Sequence, residues 1–221
     1  MDMKNGKKKA PAPVIRRLSN YHHLLLGLKQ RQIRTISSTA LAEMLEYIPI
    51  QVRKDLQLAG LVGRPKTGFR VDEMEEAIRS FMGWAGDCQG ALFGAGNLGS
   101  ALLNHPWRDE YGFRFIAAFD SDTERSNILI NNIPVYHTSY FPTFAKEHAI
   151  DIGVIAVPPD ATQPVAEMLV ENGIHGIWNF SSRHLKIPAG TTVVDALFTQ
   201  SLAILTRRLV ESRTVTSEIK E

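Results

Sequence analysis

The stretch from Ala91 to Leu103 constrains the fold more than any other. Apolar Ala91-Leu92-Phe93 runs directly into Gly94-Ala95-Gly96-Asn97-Leu98-Gly99, and Ser100-Ala101-Leu102-Leu103 continues with helical composition. A G-x-G-x-x-G between a strand and a helix is the turn with which a parallel α/β sheet cradles a pyrophosphate. Gly94 permits the tight turn, Gly96 lets the backbone approach the phosphates, and Gly99 lets the helix pack closely on the strand. The helix N-terminus adds amide donors and a positive dipole end. Asp120, at the end of the next predicted strand, is placed to accept hydrogen bonds from the adenosine ribose. That favours NAD over NADP, whose 2′-phosphate it would repel, although the nearby Arg125 weakens the preference. A glycine-rich turn without a ligand, or a related fold that binds CoA, remains the alternative at this point.

Strand and helix patterns alternate through the rest of this region. Gln89–Phe93, Phe113–Asp120, Asp151–Val157, Gly176–Phe180 and Thr192–Val194 read as strands, with helices over Asn97–Asn104 and Pro164–Asn172 and a helix or turn near Asp122. Such alternation predicts a Rossmann-like, doubly wound parallel sheet over residues 84–196. Ligands of open α/β sheets collect at the carboxyl edge. Ala156, Val157, Pro158, Asn179 and Phe180 are therefore expected to complete the site, with Asn179 bonding the nicotinamide amide. An amphipathic helix over 197–211 has no strand after it, and 212–221 reads as a tail.

Charge separates the chain into two parts. Residues 1–70 hold 14 Lys or Arg against 4 Asp or Glu, a balance of +10, whereas residues 71–221 hold 11 against 19, a balance of −8. A basic segment of this kind predicts contact with a polyanion. Residues 1–12 are polar, basic and Pro-punctuated, with the composition of a disordered tail. Over 13–83 the pattern predicts a helix (Val14 to Leu28) and a second helix capped by Ser37 or Ser38 that turns Leu41, Met44 and Leu45 inward. A third helix follows from Pro49 to Ala59. A hairpin with arms Leu61-Val62 and Gly68–Val71 comes next, then a helix capped by Asp72. Together these make a winged helix-turn-helix. Val52 and Leu56, four apart, face the core. Gln51, Arg53 and Lys54 then face the major groove, and Arg64 and Lys66 on the wing face the minor groove or the phosphates.

The chemistry of an enzyme is not expected. The sheet uses most of the residues after Asp120, which leaves no second domain for a substrate. His105, His137, His148, His175 and His184 are scattered without acidic orienters. His and Cys show no metal-ligand spacing. Cys88 is the single cysteine, which excludes an internal disulfide and fits a reducing compartment, and no apolar run has the length of a membrane span. The expectation is a cytoplasmic protein without metal or membrane partner.

The chain resembles the Rex family of redox-sensing transcriptional repressors. The resemblance rests on Val52-Arg53-Lys54-Asp55-Leu56, on Gly94 to Leu102, on Gly176-Ile177-Trp178-Asn179-Phe180 and on the terminal Leu202–Leu209 helix. It implies a homodimer that binds pseudo-palindromic double-stranded operator DNA and senses NAD(H), NADH releasing the DNA. It also implies that the C-terminal helix is exchanged between subunits, so that Phe198 approaches the partner's nicotinamide pocket. The chain departs from the family pattern at the wing, which reads Pro65-Lys66-Thr67-Gly68-Phe69, and at His23, His105 and Leu197, where many members place Arg, Tyr and Asp.

Overall fold

The computed structural model describes residues 10–64 and 67–218. The chain divides into two compact units: residues 1–86 with 110–112, and residues 87–109 with 113–221.

In the first unit, α1 (Ala12–Gln30) buries Leu18, Tyr21, Leu25 and Leu28, which recur at helical spacing along one face. The helix starts inside the segment expected to be a tail; of that tail, residues 1–9 lie outside the described residues. Ser37 caps α2 (Ser38–Met44), its hydroxyl accepting from the Ala40 amide at 3.0 Å. The buried face of α2 centres on Leu41, Ala42 and Leu45, so Met44, expected inside, falls off its edge and is exposed. Pro49 opens α3 (Pro49–Leu58), where Val52 and Leu56 are fully buried as the i,i+4 spacing predicts.

The wing differs from the expected hairpin. Leu61-Val62 is not a strand, and Val62 is exposed. Instead β1 (Thr35–Ile36) pairs antiparallel with β2 (Phe69–Arg70), while Arg64 and Gly68 exchange backbone hydrogen bonds at 2.9 and 3.0 Å. Gly68 makes the pairing possible. Its φ is +73°, and a Cβ there would sit 2.6 Å from the Ile36 carbonyl oxygen. Burial of Phe69 against Ile36 anchors β2 in the core, which a weak Leu61-Val62 pairing would not do. Next, α4 (Val71–Met82) starts one residue before Asp72, so Asp72 is not its cap. Asp72 and Glu73 occupy the first turn, where they complement the helix dipole, and Gly83 ends the helix in the left-handed region. Residues 110–112 also belong to this unit, Tyr111 packing edge-on against Trp84 at 5.0 Å.

The second unit is a seven-stranded sheet. Its strands are β3 (Cys88–Phe93), β4 (Phe113–Asp120), β5 (Ile128–Ile130), β6 (Ile133–His137), β7 (Ile152–Ile155), β8 (Gly176–Asn179) and β9 (Thr192–Asp195), ordered β5-β6-β4-β3-β7-β8-β9. All neighbours are parallel except β5 and β6. Without β5, the order is that of a doubly wound dinucleotide-binding sheet, whose switch point lies between β3 and β7. Side chains alternate between two cores: Ala91 and Phe93 enter one, Leu92 the other.

The helices are α5 (Asn97–Asn104), α6 (Trp107–Tyr111), α7 (Phe141–Glu147), α8 (Pro159–Glu171) and α9 (Phe198–Glu218). β5, β6, α6 and α7 are not expected from the sequence pattern, and α8 starts before the expected Pro164. Pro164 instead lies inside the helix. The amide it lacks leaves the Asp160 carbonyl without a helical partner, and exposed Asp160 can give that carbonyl to water. Of the expected 212–221 tail, residues up to Glu218 continue α9, and 219–221 lie outside the described residues. Among the described residues no helix is long and apolar enough to cross a membrane, and no group of three His, Cys, Asp or Glu is placed to hold a metal ion.

Candidate nucleotide cleft and nucleic-acid interface

Where β3 ends, its chain turns between β4 and β7. The Gly94 amide donates to the Phe119 carbonyl at 2.8 Å, and the Ala156 amide donates to the Phe93 carbonyl at 2.8 Å. Gly94 has φ +95°, and a Cβ there would lie 2.6 Å from the Ala156 carbonyl oxygen, so no other residue fits the turn. A Cβ on Gly99 would collide with the Gly94 carbonyl oxygen, the close helix–strand approach that the motif requires. Gly96, by contrast, has the ordinary φ of −69°, and a Cβ there would meet only Arg125 Nη1, at 3.2 Å. Its missing side chain leaves room for a ligand rather than for the chain. These three glycines form the cradle that a pyrophosphate needs.

The cleft above them has a volume of about 500 Å³ and gathers Gly94, Gly96, Asp120, Ala156, Val157 and Pro158, all singled out from the sequence. Asp122, Arg125 and Thr138 join them. Asp120 is 8% exposed and does more than face the cleft. Its Oδ2 accepts from the Ala95 amide at 2.7 Å and its Oδ1 from the Asp122 amide at 2.9 Å. It fastens the end of β4 to the glycine loop and keeps lone pairs for a ribose. Thr138 went unnoticed because β6, which carries it in, was missed.

Other sequence-derived residues fall outside this cleft. Asn97 and Leu98 begin α5, Asn97 exposed and Leu98 packed under the loop. Asn179 is fully buried, with both amide hydrogens used and its oxygen paired. Nδ2 donates to the Arg183 carbonyl at 3.1 Å and to Asp195 Oδ1 at 2.7 Å, and Oδ1 accepts from the Ser181 amide at 3.0 Å. The expectation that Asn179 bonds nicotinamide is therefore corrected: it holds the chain after β8 against β9. Phe180 and Phe198 approach each other, with ring centroids 6.2 Å apart, and Phe198 is exposed. His105 packs on Trp107 at 4.1 Å. Burial and the neighbouring Asp151 push the Cys88 thiol up to about 11, which leaves it an inert thiol rather than a redox-reactive thiolate.

In the first unit, Arg53, Gln57, Ser37, Ser38 and Arg64 border a hollow of about 500 Å³ between α3 and the wing. Arg53 and Lys54 are exposed on α3. Arg64 reaches Glu73 at 3.1 Å while remaining exposed. Gln51, expected at the groove, is instead half-buried and donates to Asp55 Oδ1 at 3.0 Å, because the acid beneath it claims its amide. Gln57, one turn beyond Arg53, takes the outward position expected of Gln51. Lys66 lies outside the described residues.

Two family models match the chain: "Putative DNA-binding protein N-terminus" over residues 9–57 and "CoA binding domain" over residues 88–183. The redox-sensing transcriptional repressor Rex of Treponema denticola is 39% identical over 184 residues, which cover 83% of this chain and 88% of that protein. The chain belongs to the Rex family of redox-sensing transcriptional repressors. A Rex repressor of Bacteroides thetaiotaomicron is 34% identical, with 91% of each chain covered. A crystal structure of RSP in complex with beta-NAD+ and operator DNA superposes with a TM-score of 0.84 at 30% identity, covering 97% of this Rex chain and 99% of that one. RSP in complex with beta-NADH gives 0.85 at 30% identity, covering 94% and 98%. As a Rex protein the chain is a regulator and not an enzyme. The fold is likewise that of Rex repressors, a DNA-binding N-terminal domain followed by a Rossmann-like sheet.

Proposed function

We propose that this chain is a homodimeric, cytoplasmic repressor that binds a pseudo-palindromic operator and releases it when NADH occupies the cleft. The observation that carries the reading is the cradle itself: Gly94, Gly96 and Gly99 at the switch point of the sheet, with Asp120 beside them, in a chain whose other unit is basic. The residues proposed for the nucleotide are the 94–99 loop, Asp120 and Ala156 to Pro158. When bound, the dinucleotide supplies only its redox state as a signal. Arg53 and Lys54 are proposed to meet base edges or phosphates in the major groove, and Arg64 and Lys66 to meet the DNA from the wing.

Self-association is supported by α9. Phe198, Leu202, Leu205 and Leu209 are all exposed although they recur at helical spacing, an apolar face that the described residues leave largely open. Exchange of this helix between two copies would cover it and bring Phe198 to the other copy's nucleotide end. A dimer presents two α3 helices to half-sites about 34–36 Å apart or a multiple of that. A ligand changes their separation only through its differential affinity for the two arrangements.

A gel-shift titration with NAD+ and NADH added separately tests the reading. The expected result is retention of operator with NAD+ and release with NADH. Arg53→Ala with Lys54→Ala should abolish the shift while leaving NADH affinity intact. Unchanged DNA affinity in that double variant would remove the assignment. Since the second unit also matches a CoA-binding family, CoA belongs in the same titration, and release by CoA alone would favour a different effector.

A further inference from the structure

We propose that Arg125 is the counter-charge of the dinucleotide's pyrophosphate and that Asp122 competes with the nucleotide for it. The proposal rests on the nucleotide reading of the cleft. The electrostatic problem there is plain. A pyrophosphate brings two negative charges, while the α5 N-terminus offers roughly half a positive one. Two carboxylates, Asp120 and Asp122, line the same cleft, and Asp120 already accepts the Ala95 amide, one of the loop's own donors. Without a cation the field would repel the ligand.

Among the described residues lining the cleft, Arg125 is the sole cation. Its Nη1 lies 3.2 Å from the position a Gly96 Cβ would take, directly over the glycine whose bare backbone makes room for phosphate. The placement is built by the short segment after β4. Asp122 donates its amide to Asp120 Oδ1 at 2.9 Å, its own Oδ1 accepts the Glu124 amide at 2.9 Å, and the resulting helical turn returns Arg125 to the loop. Asp122 Oδ2 then holds Arg125 Nε at 3.5 Å. That distance is a loose ion pair rather than a close hydrogen bond, and both side chains are about half exposed, so the guanidinium is free to transfer. Because its Nη1 lies over Gly96, the charge serves the pyrophosphate common to NADH and NADPH rather than a 2′-phosphate.

Binding of NADH, ADP-ribose, NADPH and adenosine to the full chain tests this, read by NADH fluorescence and by calorimetry. Arg125→Ala should weaken NADH and ADP-ribose about tenfold and leave adenosine, which has no phosphate, unchanged. Asp122→Asn keeps a capping oxygen but loses the competing charge, and should tighten NADH and ADP-ribose about two- to fivefold. Wild-type NADH affinity in Arg125→Ala would overturn the proposal alone, as would an equal loss for adenosine. A loss confined to NADPH would move Arg125 to the 2′-phosphate and overturn it too. Failure of the wild-type chain to bind NADH or ADP-ribose would instead overturn the nucleotide reading, and the proposal with it.

Discussion

Tyr21 of α1 and Asp55 of α3 meet inside the first unit, the phenol donating to Oδ2 at 2.8 Å. Asp55 lies in the helix that carries Arg53 and Lys54, yet it is 2% exposed. Arg17 reaches it with two hydrogen bonds, at 2.6 and 2.9 Å, and Gln51 adds a third donor. The one acid of this basic helix is thus the bolt that fixes α3 to α1, which sets the direction in which Arg53 and Lys54 point.

Removing that bolt should cost more than an ordinary surface pair. Asp55→Ala leaves Arg17 and buried Tyr21 without their acceptor, and breaking a buried pair costs about 3–5 kcal/mol. Urea unfolding of the full chain checks this, and a loss below about 1 kcal/mol would contradict it. Burial alone would raise the Asp55 carboxyl, but the hydrogen bonds from Arg17, Tyr21 and Gln51 outweigh it and hold the group below its usual range. Its contribution is therefore full above about pH 3.9, the unfolded value, and is lost as pH falls through the lower folded one.

His22, the neighbour of Tyr21, also loses stability on acidification, but as a buried neutral ring rather than a paired charge. It is fully buried against Trp84 and Tyr111, with ring centroids 5.0 and 5.8 Å away, and neither ring nitrogen has a hydrogen-bond partner among the described residues. Glu75 Oε1, at 3.7 Å, is too far to accept one. Burial lowers the His22 pKa; Glu75 and Glu110 pull it back, and Arg79 lowers it further. The native state thus binds fewer protons than the unfolded chain, so stability falls as pH drops below about 6.5 toward the depressed value. Urea midpoints at pH 7.5 and 5.5 should show that loss. His22→Leu, similar in volume and without polar atoms, should remove this part of the slope at little cost at pH 7.5. An unchanged slope would refute the account.

The glycines of the cradle should separate binding from folding. Gly96→Val places its Cβ against only the end of Arg125 but gives α5 a poorer N-cap, so it should lose no more than about 1 kcal/mol. Its NADH fluorescence titration should show no binding. Gly99→Ala forces a Cβ into the Gly94 carbonyl and should lose about 1–3 kcal/mol, measured without nucleotide. Similar stability losses in both would mean that Gly96 also serves packing.

The strongly patterned parts of the molecule were legible in the sequence. Gly94 to Gly99 named its own turn, because only glycine meets the requirements at Gly94 and Gly99, and Val52 with Leu56 fixed the inner face of α3. The missed elements fail local rules. The β5–β6 hairpin turns on Asn131-Asn132, both with positive φ, and its Leu129 is exposed, so neither a glycine nor an alternating apolar face announces it. β2 found its partner in Thr35–Ile36, more than thirty residues upstream, a pairing decided by the Phe69 core and not by the neighbouring turn. Amides suit ligands at Gln51 and Asn179, but buried Asp55 claims the first and Asp195, sixteen residues downstream, claims the second. The cleft's own cation was visible as Arg125, but its position over Gly96 came from the turn that Asp122 caps.

The uncovered face of α9 ties control to stoichiometry. If a second copy covers this helix, as proposed, every working unit is a joint product of two chains, and a copy that folds and pairs but lacks Arg53 and Lys54 would disable the sound copy it joins. In a cell carrying both forms in equal amounts, random pairing would leave about a quarter of the dimers with two intact reading heads. A defect in reading DNA would then be inherited as a dominant one, whereas a defect in α9 itself, unable to pair, would stay recessive.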